Sequence, residues 1–240
     1  MSELTTKSTT KKQPKEELSG ISTARFEAFG SAPLIAHADS IPWADEMESW
    51  VKTHKGASKP GDDRTPPFRW IGCLCYEDAQ TGQVCLSAEM LMKCLMMGAA
   101  EVTMKGAKTF KALSQSALVC RDYFIPLLVN GKPIQMAEVQ AARTIDTFAG
   151  QMALAKDLGF ELFTRRARVG ENKHIRVRPK FNNWSFSTVL MIGDKRITLE
   201  VLQQICEIAG RLKGLGDWRP SAPKSPGPFG TFEAKVTAGS

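Results

Sequence analysis

The feature that most constrains this chain is an alternation, WSFSTVLMI over residues 184–192, that runs into a turn and then a helix pattern. Trp184, Phe186, Thr188, Leu190 and Ile192 fall on one face of a two-residue repeat, which only an extended strand with one buried side can use. Gly193 and Asp194 supply the turn, and Thr198 stands where a helix cap belongs. Val201, Ile205, Ile208 and Leu212 then recur at helical spacing as an apolar stripe. The glycine-rich GLGDWRPSAPKSPGPFGTF follows, and a last strand is expected over 230–236.

Upstream, the same rules give a first strand from about Thr23 to Gly30 and a short helix over 41–51. FRWIGCLCY reads as a second strand, and EDAQTGQ as a turn before VCL. Ser87 caps a helix with Leu91, Leu95 and Gly98 on one side and Met92, Met96 and Ala99 beside it, a core pattern rather than a binding groove. Residues 102–116 are basic and read as a loop within reach of a ligand. ALVCRDYFIPLLV followed by Asn130–Gly131 signals a hairpin, and Pro126 confines its strand to an edge or a bulge. Residues 143–158 fit either a helix or a pair of strands.

Strands interleaved with a few helices point to an α+β fold, an antiparallel sheet with helices packed on one face. Residues 1–22 read as a disordered basic tail and 23–240 as one domain, with a Gly-, Pro- and charge-rich insertion loop over 52–67. No apolar run reaches the roughly 18 residues of a membrane helix, and the N-terminal stretch lacks the apolar core of a secretory signal. The six cysteines form no CxxC pair, and the three histidines lie away from zinc-ligand spacing, so reduced buried thiols and a cytoplasmic protein are expected. Phosphate-binding GxxxxGK[ST], GxSxG and HExxH are all missing. No cofactor, metal or enzymatic activity is expected. The weak exception is Asp62–Asp63, which fits a metal-dependent nuclease as well as an ordinary solvated turn.

Charge is the more informative signal. The chain carries 32 Lys and Arg against 25 Asp and Glu, a formal +7. Much of the surplus falls between Glu161 and Lys180, where Arg165, Arg166, Arg168, Lys173, Arg176, Arg178 and Lys180 oppose Glu161 and Glu171. TRRARVGENKHIRVRPKF reads as two arms joined by a VGENK turn, with Arg176, Arg178 and Lys180 along one face. Such a ribbon can lay guanidinium groups along a sugar–phosphate backbone, while Phe181 or Trp184 stacks on a base. A solvated basic face accounts for the same run, and Trp184 also fits the core. In the Gly214–Pro220 loop, Gly216 and its neighbours permit close backbone approach and free amides for a phosphate. The alternative there is a helix stop, with Trp218 packed and Asp217 paired to Arg219.

Taken in order, FGSAPLIAH, a charged insertion, LSAEMLMKCLMMGA, the arginine-rich hairpin, WSFSTVLMI before a capped helix ending in AG, and GLGDWRP…GPFGTF resemble the RAMP superfamily. The likeness is to backbone subunits of CRISPR effector complexes and their phage-borne relatives, and covers roughly residues 24–236. It implies an RNA-recognition, ferredoxin-like sheet with loop insertions, and subunits that polymerise along a guide RNA held in a basic channel. By the resemblance, Arg165, Arg166, Arg168, Arg176 and Arg178, with Gly214, Gly216 and Arg219, are the RNA contacts. Asp62 or Asp63 would stand where some relatives carry an RNA-cleaving aspartate. The chain is shorter than many such subunits and has no obvious thumb insertion, which points to a stand-alone, phage-encoded relative. The expected protein therefore coats single-stranded RNA or DNA as a homo-oligomer, of a kind that can be helical, in a bacterial cell or phage-infected host. A viral structural or assembly protein is the main alternative.

Overall fold

The alternation over 184–192 is realised as an inner strand of the main sheet. The computed structural model describes residues 22–38, 40–56, 61–106, 108–169 and 172–239. The tail expected over 1–22 lies outside these residues apart from Ser22, as do parts of the 52–67 loop and the centre of the VGENK turn. The chain begins with β1 (Ser22–Gly30), β2 (Leu34–Ile35) and α1 (Ile41–Thr53), then a 3-10 turn at Arg69–Cys73. Next come β3 (Cys85–Ser87), α2 (Ala88–Ala99), α3 (Lys111–Ala117), β4 (Leu118–Cys120), β5 (Phe124–Pro126), β6 (Leu128–Val129) and β7 (Lys132–Pro133). After α4 (Met136–Val139) and α5 (Phe148–Asp157) stand β8 (Glu161–Val169), β9 (Asn172–Phe181) and β10 (Trp184–Ile192). α6 (Leu199–Ile208), a π turn at Ala209–Lys213 and β11 (Phe232–Ala238) complete it.

The fold is a mixture of helices and antiparallel sheet. The main sheet runs β11-β1-β10, and β10 then pairs with β6 near its start and with β4 near its end. Ala24, Phe26 and Ala28 of β1 stand opposite Leu190, Thr188 and Phe186 of β10, so one face of the sheet is apolar and buried. Over it lie α2 and α6, which approach closely at Gly98: a Cβ there would sit 2.6 Å from the Ile205 carbonyl. Side chains from Ala24 to Phe232 form one hydrophobic cluster. The opposite face keeps Arg25 and Phe29 exposed.

Local chemistry sets the helix starts. The hydroxyls of Ser87, Thr147 and Thr198 accept from the amides of Met90, Gly150 and Val201, as caps should. Asn130 and Gly131 both take positive φ, 52° and 75°, the conformation of a tight hairpin turn between β6 and β7. Pro126 ends β5, which pairs only with β3 among the described strands. The free edge of β11 is covered by Gln203, whose amide accepts from Val236 N–H and donates to the Ala234 carbonyl, both at 2.8 Å.

Three local expectations are corrected and one open choice is resolved. FRWIGCLCY is not a strand: Trp70, Ile71, Gly72 and Cys73 are buried in succession, leaving no solvent face for an alternation. Gly72 lets the chain turn there, since a Cβ would fall 1.9 Å from Trp43. Residues 102–116 are not all loop, because α3 begins at Lys111. The ambiguous 143–158 contains α5, anchored by the fully buried Gln151. In α6 the core side is Leu202, Ile205 and Cys206, while Leu212 is 57% exposed, because the wider π turn rotates it outward.

Candidate nucleic-acid interface

β8 and β9 form the expected two-armed ribbon, with Arg165 opposite Arg176, Phe163 opposite Arg178 and Glu161 opposite Lys180. Alternation places these six on one face; Arg166, Arg168 and Lys173 belong to the other, where all three are exposed. β9 has β2 along its second edge, and the segment at residues 61–63 beside it: Ile175 N–H donates to Gly61 and Asp63 N–H to Ile175.

That segment delivers a carboxylate into the arginine row. Asp63 is 6% exposed; Oδ1 accepts from Arg176 at 3.1 Å and Oδ2 from Arg178 at 2.9 Å, with Arg69 at 3.8 Å. A buried carboxylate is tolerated because these guanidinium groups and the Val177 amide replace its water. Lys180 is held by Glu161 at 2.6 Å. Of the row, Arg178 is therefore a mostly enclosed structural cation, Arg176 is half-exposed and tethered, and Lys180 is paired. Asp62 is gripped by Arg64 through both oxygens, at 2.9 and 2.7 Å. The two aspartates thus engage separate arginines, and among the described residues no cluster of three His, Cys, Asp or Glu is placed to hold a metal.

The glycine-rich loop also differs from expectation. The amides of Gly214, Leu215 and Asp217 donate to Ala209, Gly230 and Ile35 carbonyls, and that of Trp218 to Asp217 Oδ1. They cannot cradle a phosphate while so engaged. Gly216 is required for packing, since a Cβ would stand 2.4 Å from the Ile35 carbonyl, and Gly214 turns the chain at φ 70°. Arg219 donates to the Gly216 carbonyl and to Ser221 rather than pairing with Asp217, which faces Arg178 at 3.8 Å.

What the loop contributes instead is aromatic. Trp218, Phe229 and Phe163 of β8 cluster with ring centres 5.3–6.2 Å apart, all three half-buried. The Arg165 guanidinium lies 3.3 Å above the Trp218 ring. The expected stacking residues, Phe181 and Trp184, are instead core, at 1% and 2% exposed; the Trp184 indole N–H donates to the Ala32 carbonyl. Sequence reasoning missed Phe163 and Phe229, although the two-residue spacing of Phe163 and Arg165 already put them on one face.

Beside this surface a cleft of about 770 Å³ lies between His37, Ala38 and Ser40 on one side and α2 on the other, with Lys93, Tyr123 and Arg219 among its walls. A second, of about 440 Å³, lies on the α1 side and is lined by Asp63, Arg69, Arg176 and Arg178; His37 and Ser40 line both. Among the described residues no helix is long and apolar enough to cross a membrane. Comparison with family models gives no match, and comparison with curated proteins gives none either.

Proposed function

We propose that this protein binds single-stranded nucleic acid, RNA foremost, without converting it chemically, and that copies associate along the strand. The observation that carries the reading is the half-exposed Phe163–Trp218–Phe229 cluster with Arg165 stacked on it, on the same ribbon face as Arg176, while the exposed cations Arg166 and Lys173 occupy the ribbon's other face. Aromatic faces accept bases of any sequence and arginines follow the backbone, the combination that strand-coating proteins require. Connectivity is in keeping with it. The order β11-β1-β10-β4, with α2 between β1 and β4 and α6 between β10 and β11, supports the ferredoxin-like reading and the RAMP likeness. In that reading the β8–β9 ribbon is an insertion ahead of β10. Asp63 makes Arg178 part of the scaffold, so the contacts shift toward Arg165, Arg166, Arg168, Lys173 and Arg176.

The test is titration of a labelled homopolymeric oligonucleotide at several salt concentrations. The logarithm of affinity should fall linearly with that of salt, by about 0.7 per phosphate contacted. Trp218→Ala should weaken binding by about tenfold, a single stacking contact, with little change in salt slope. Affinity indifferent to both salt and Trp218 would overturn the reading.

A further inference from the structure

Four of the six cysteines line the larger cleft, and two of them face each other. Cys75 and Cys85 are partners in an isolated antiparallel bridge, closed by the Cys85 amide donating to the Cys75 carbonyl at 2.8 Å. Directly opposed residues hold their Cβ atoms about 4.5–5.5 Å apart. A disulfide asks for about 3.5–4.5 Å, so a movement of about 1 Å suffices. The bridge is a single pair: Cys85 begins β3, but Cys75 lies outside the named strands, so the shift can be taken up on the Cys75 side. Between the two, the chain makes a separate turn around Asp78, whose carboxylate accepts from the amides of Gln80 and Thr81.

Accessibility singles out Cys75 as the attacking member of the pair. Cys75 is half-buried, whereas the other five cysteines are buried. The remaining thiols are engaged elsewhere or enclosed: Cys73 with the Val177 carbonyl, Cys94 with that of Gly214, Cys120 with Thr188, and Cys206 fully buried in α6. The Cys85 sulfur bonds only within its own loop, to the Gln83 carbonyl at 3.2 Å.

We propose that Cys75 and Cys85 are a reversible oxidation site, closed to a disulfide by a hydroperoxide that enters the cleft. The Cys75 sulfur attacks the peroxide, breaking its O–O bond; one oxygen stays as a sulfenic acid and the other leaves as water or alcohol. The Cys85 sulfur then attacks the sulfenic sulfur, the S–S bond forms, and the hydroxyl leaves as water with the Cys85 proton. Two thiols are oxidised by two electrons in all and one peroxide is reduced; an added dithiol reverses the bond by exchange. Closure staples the Tyr76–Val84 loop at its base, next to the start of α2, and does not depend on the nucleic-acid reading.

The experiment treats the full chain with hydrogen peroxide and counts reactive thiols after denaturation. The count should fall from six to four and return with dithiothreitol. Trypsin leaves residues 70–93 as one peptide holding Cys73, Cys75 and Cys85, which should lose about 2 Da. Further cleavage at Glu77 should leave its halves joined until reduction, with fragmentation assigning the bond to Cys75. Cys73→Ser should keep the cross-link and Cys75→Ser should lose it. Six thiols remaining, a bond from Cys73, or irreversible oxidation without a cross-link would each overturn the proposal; mapping on the unaltered chain decides even if a variant fails to fold.

Discussion

Replacing Asp63 by asparagine separates what the carboxylate does for the fold from what the arginines around it do for binding. Asparagine keeps the shape but loses the charge, and it offers N–H donors to guanidinium groups that are themselves only donors. Removing one member of a buried ion pair costs about 3–5 kcal/mol. Arg69 and Arg176 are more than a third exposed at the side chain, so water screens their share, and the loss falls mainly on Arg178, 13% exposed. We expect a destabilisation of about 2–4 kcal/mol, or roughly 5–15 °C in the thermal midpoint of a chain this size. Urea unfolding followed by circular dichroism measures it as a lower midpoint at unchanged slope. Binding should move the other way. With Asp63 neutral, Arg176 is released toward phosphate, and the salt slope should steepen by about 0.7 at temperatures where the variant is folded. An unchanged unfolding midpoint would refute the structural role assigned to this carboxylate. A weaker, salt-flat interaction with the oligonucleotide would refute the release of Arg176.

Gln151→Leu should be among the most damaging conservative changes: it removes the partner of the Trp70 indole N–H and of the Ile145 carbonyl and one of the two bonds to the Ala142 carbonyl, now made at 2.7–2.8 Å. At about 1–3 kcal/mol per orphaned group, partly offset by the added apolar contact, calorimetry should show a midpoint lower by roughly 10 °C, and an unchanged midpoint would show the bonds to be dispensable. The Cys75 thiol is pushed up to about 11 by burial, so its reactive thiolate is scarce at neutral pH. Iodoacetamide should label Cys75 about 100-fold more slowly at pH 8 than an ordinary thiol, with the rate rising about tenfold per pH unit toward pH 11. The same raised value means that its contribution to stability is intact below the unfolded pKa, near 9, and is lost as pH climbs through about 11. Labelling at the ordinary rate would place the thiol in water.

The parts of this fold that were legible in the sequence are those whose cause lies within a few residues. The β10 alternation, the caps at Ser87 and Thr198, the Asn130–Gly131 turn and the edge position of Pro126 each follow from side-chain period or from a bond to a near neighbour. The ribbon's two arms were equally plain, because charge and alternation share the same short period. FRWIGCLCY failed for the converse reason: it was read as a strand, but its surroundings bury Trp70 to Leu74 in unbroken succession.

The candidate surface was only half legible. Sequence determined that arginines would line a two-stranded ribbon, and it determined their spacing. Only the tertiary structure decided that Asp63, more than a hundred positions away in the chain, would neutralise Arg176 and Arg178. It likewise decided that Trp218 and Phe229 would meet Phe163, while Phe181 and Trp184 turned inward. The physical reason is that hydrogen-bond and hydrophobic periods act along the chain, whereas neutralisation and stacking act through space. Which distant groups meet is set by how the sheets and their connections pack, and no local period encodes that.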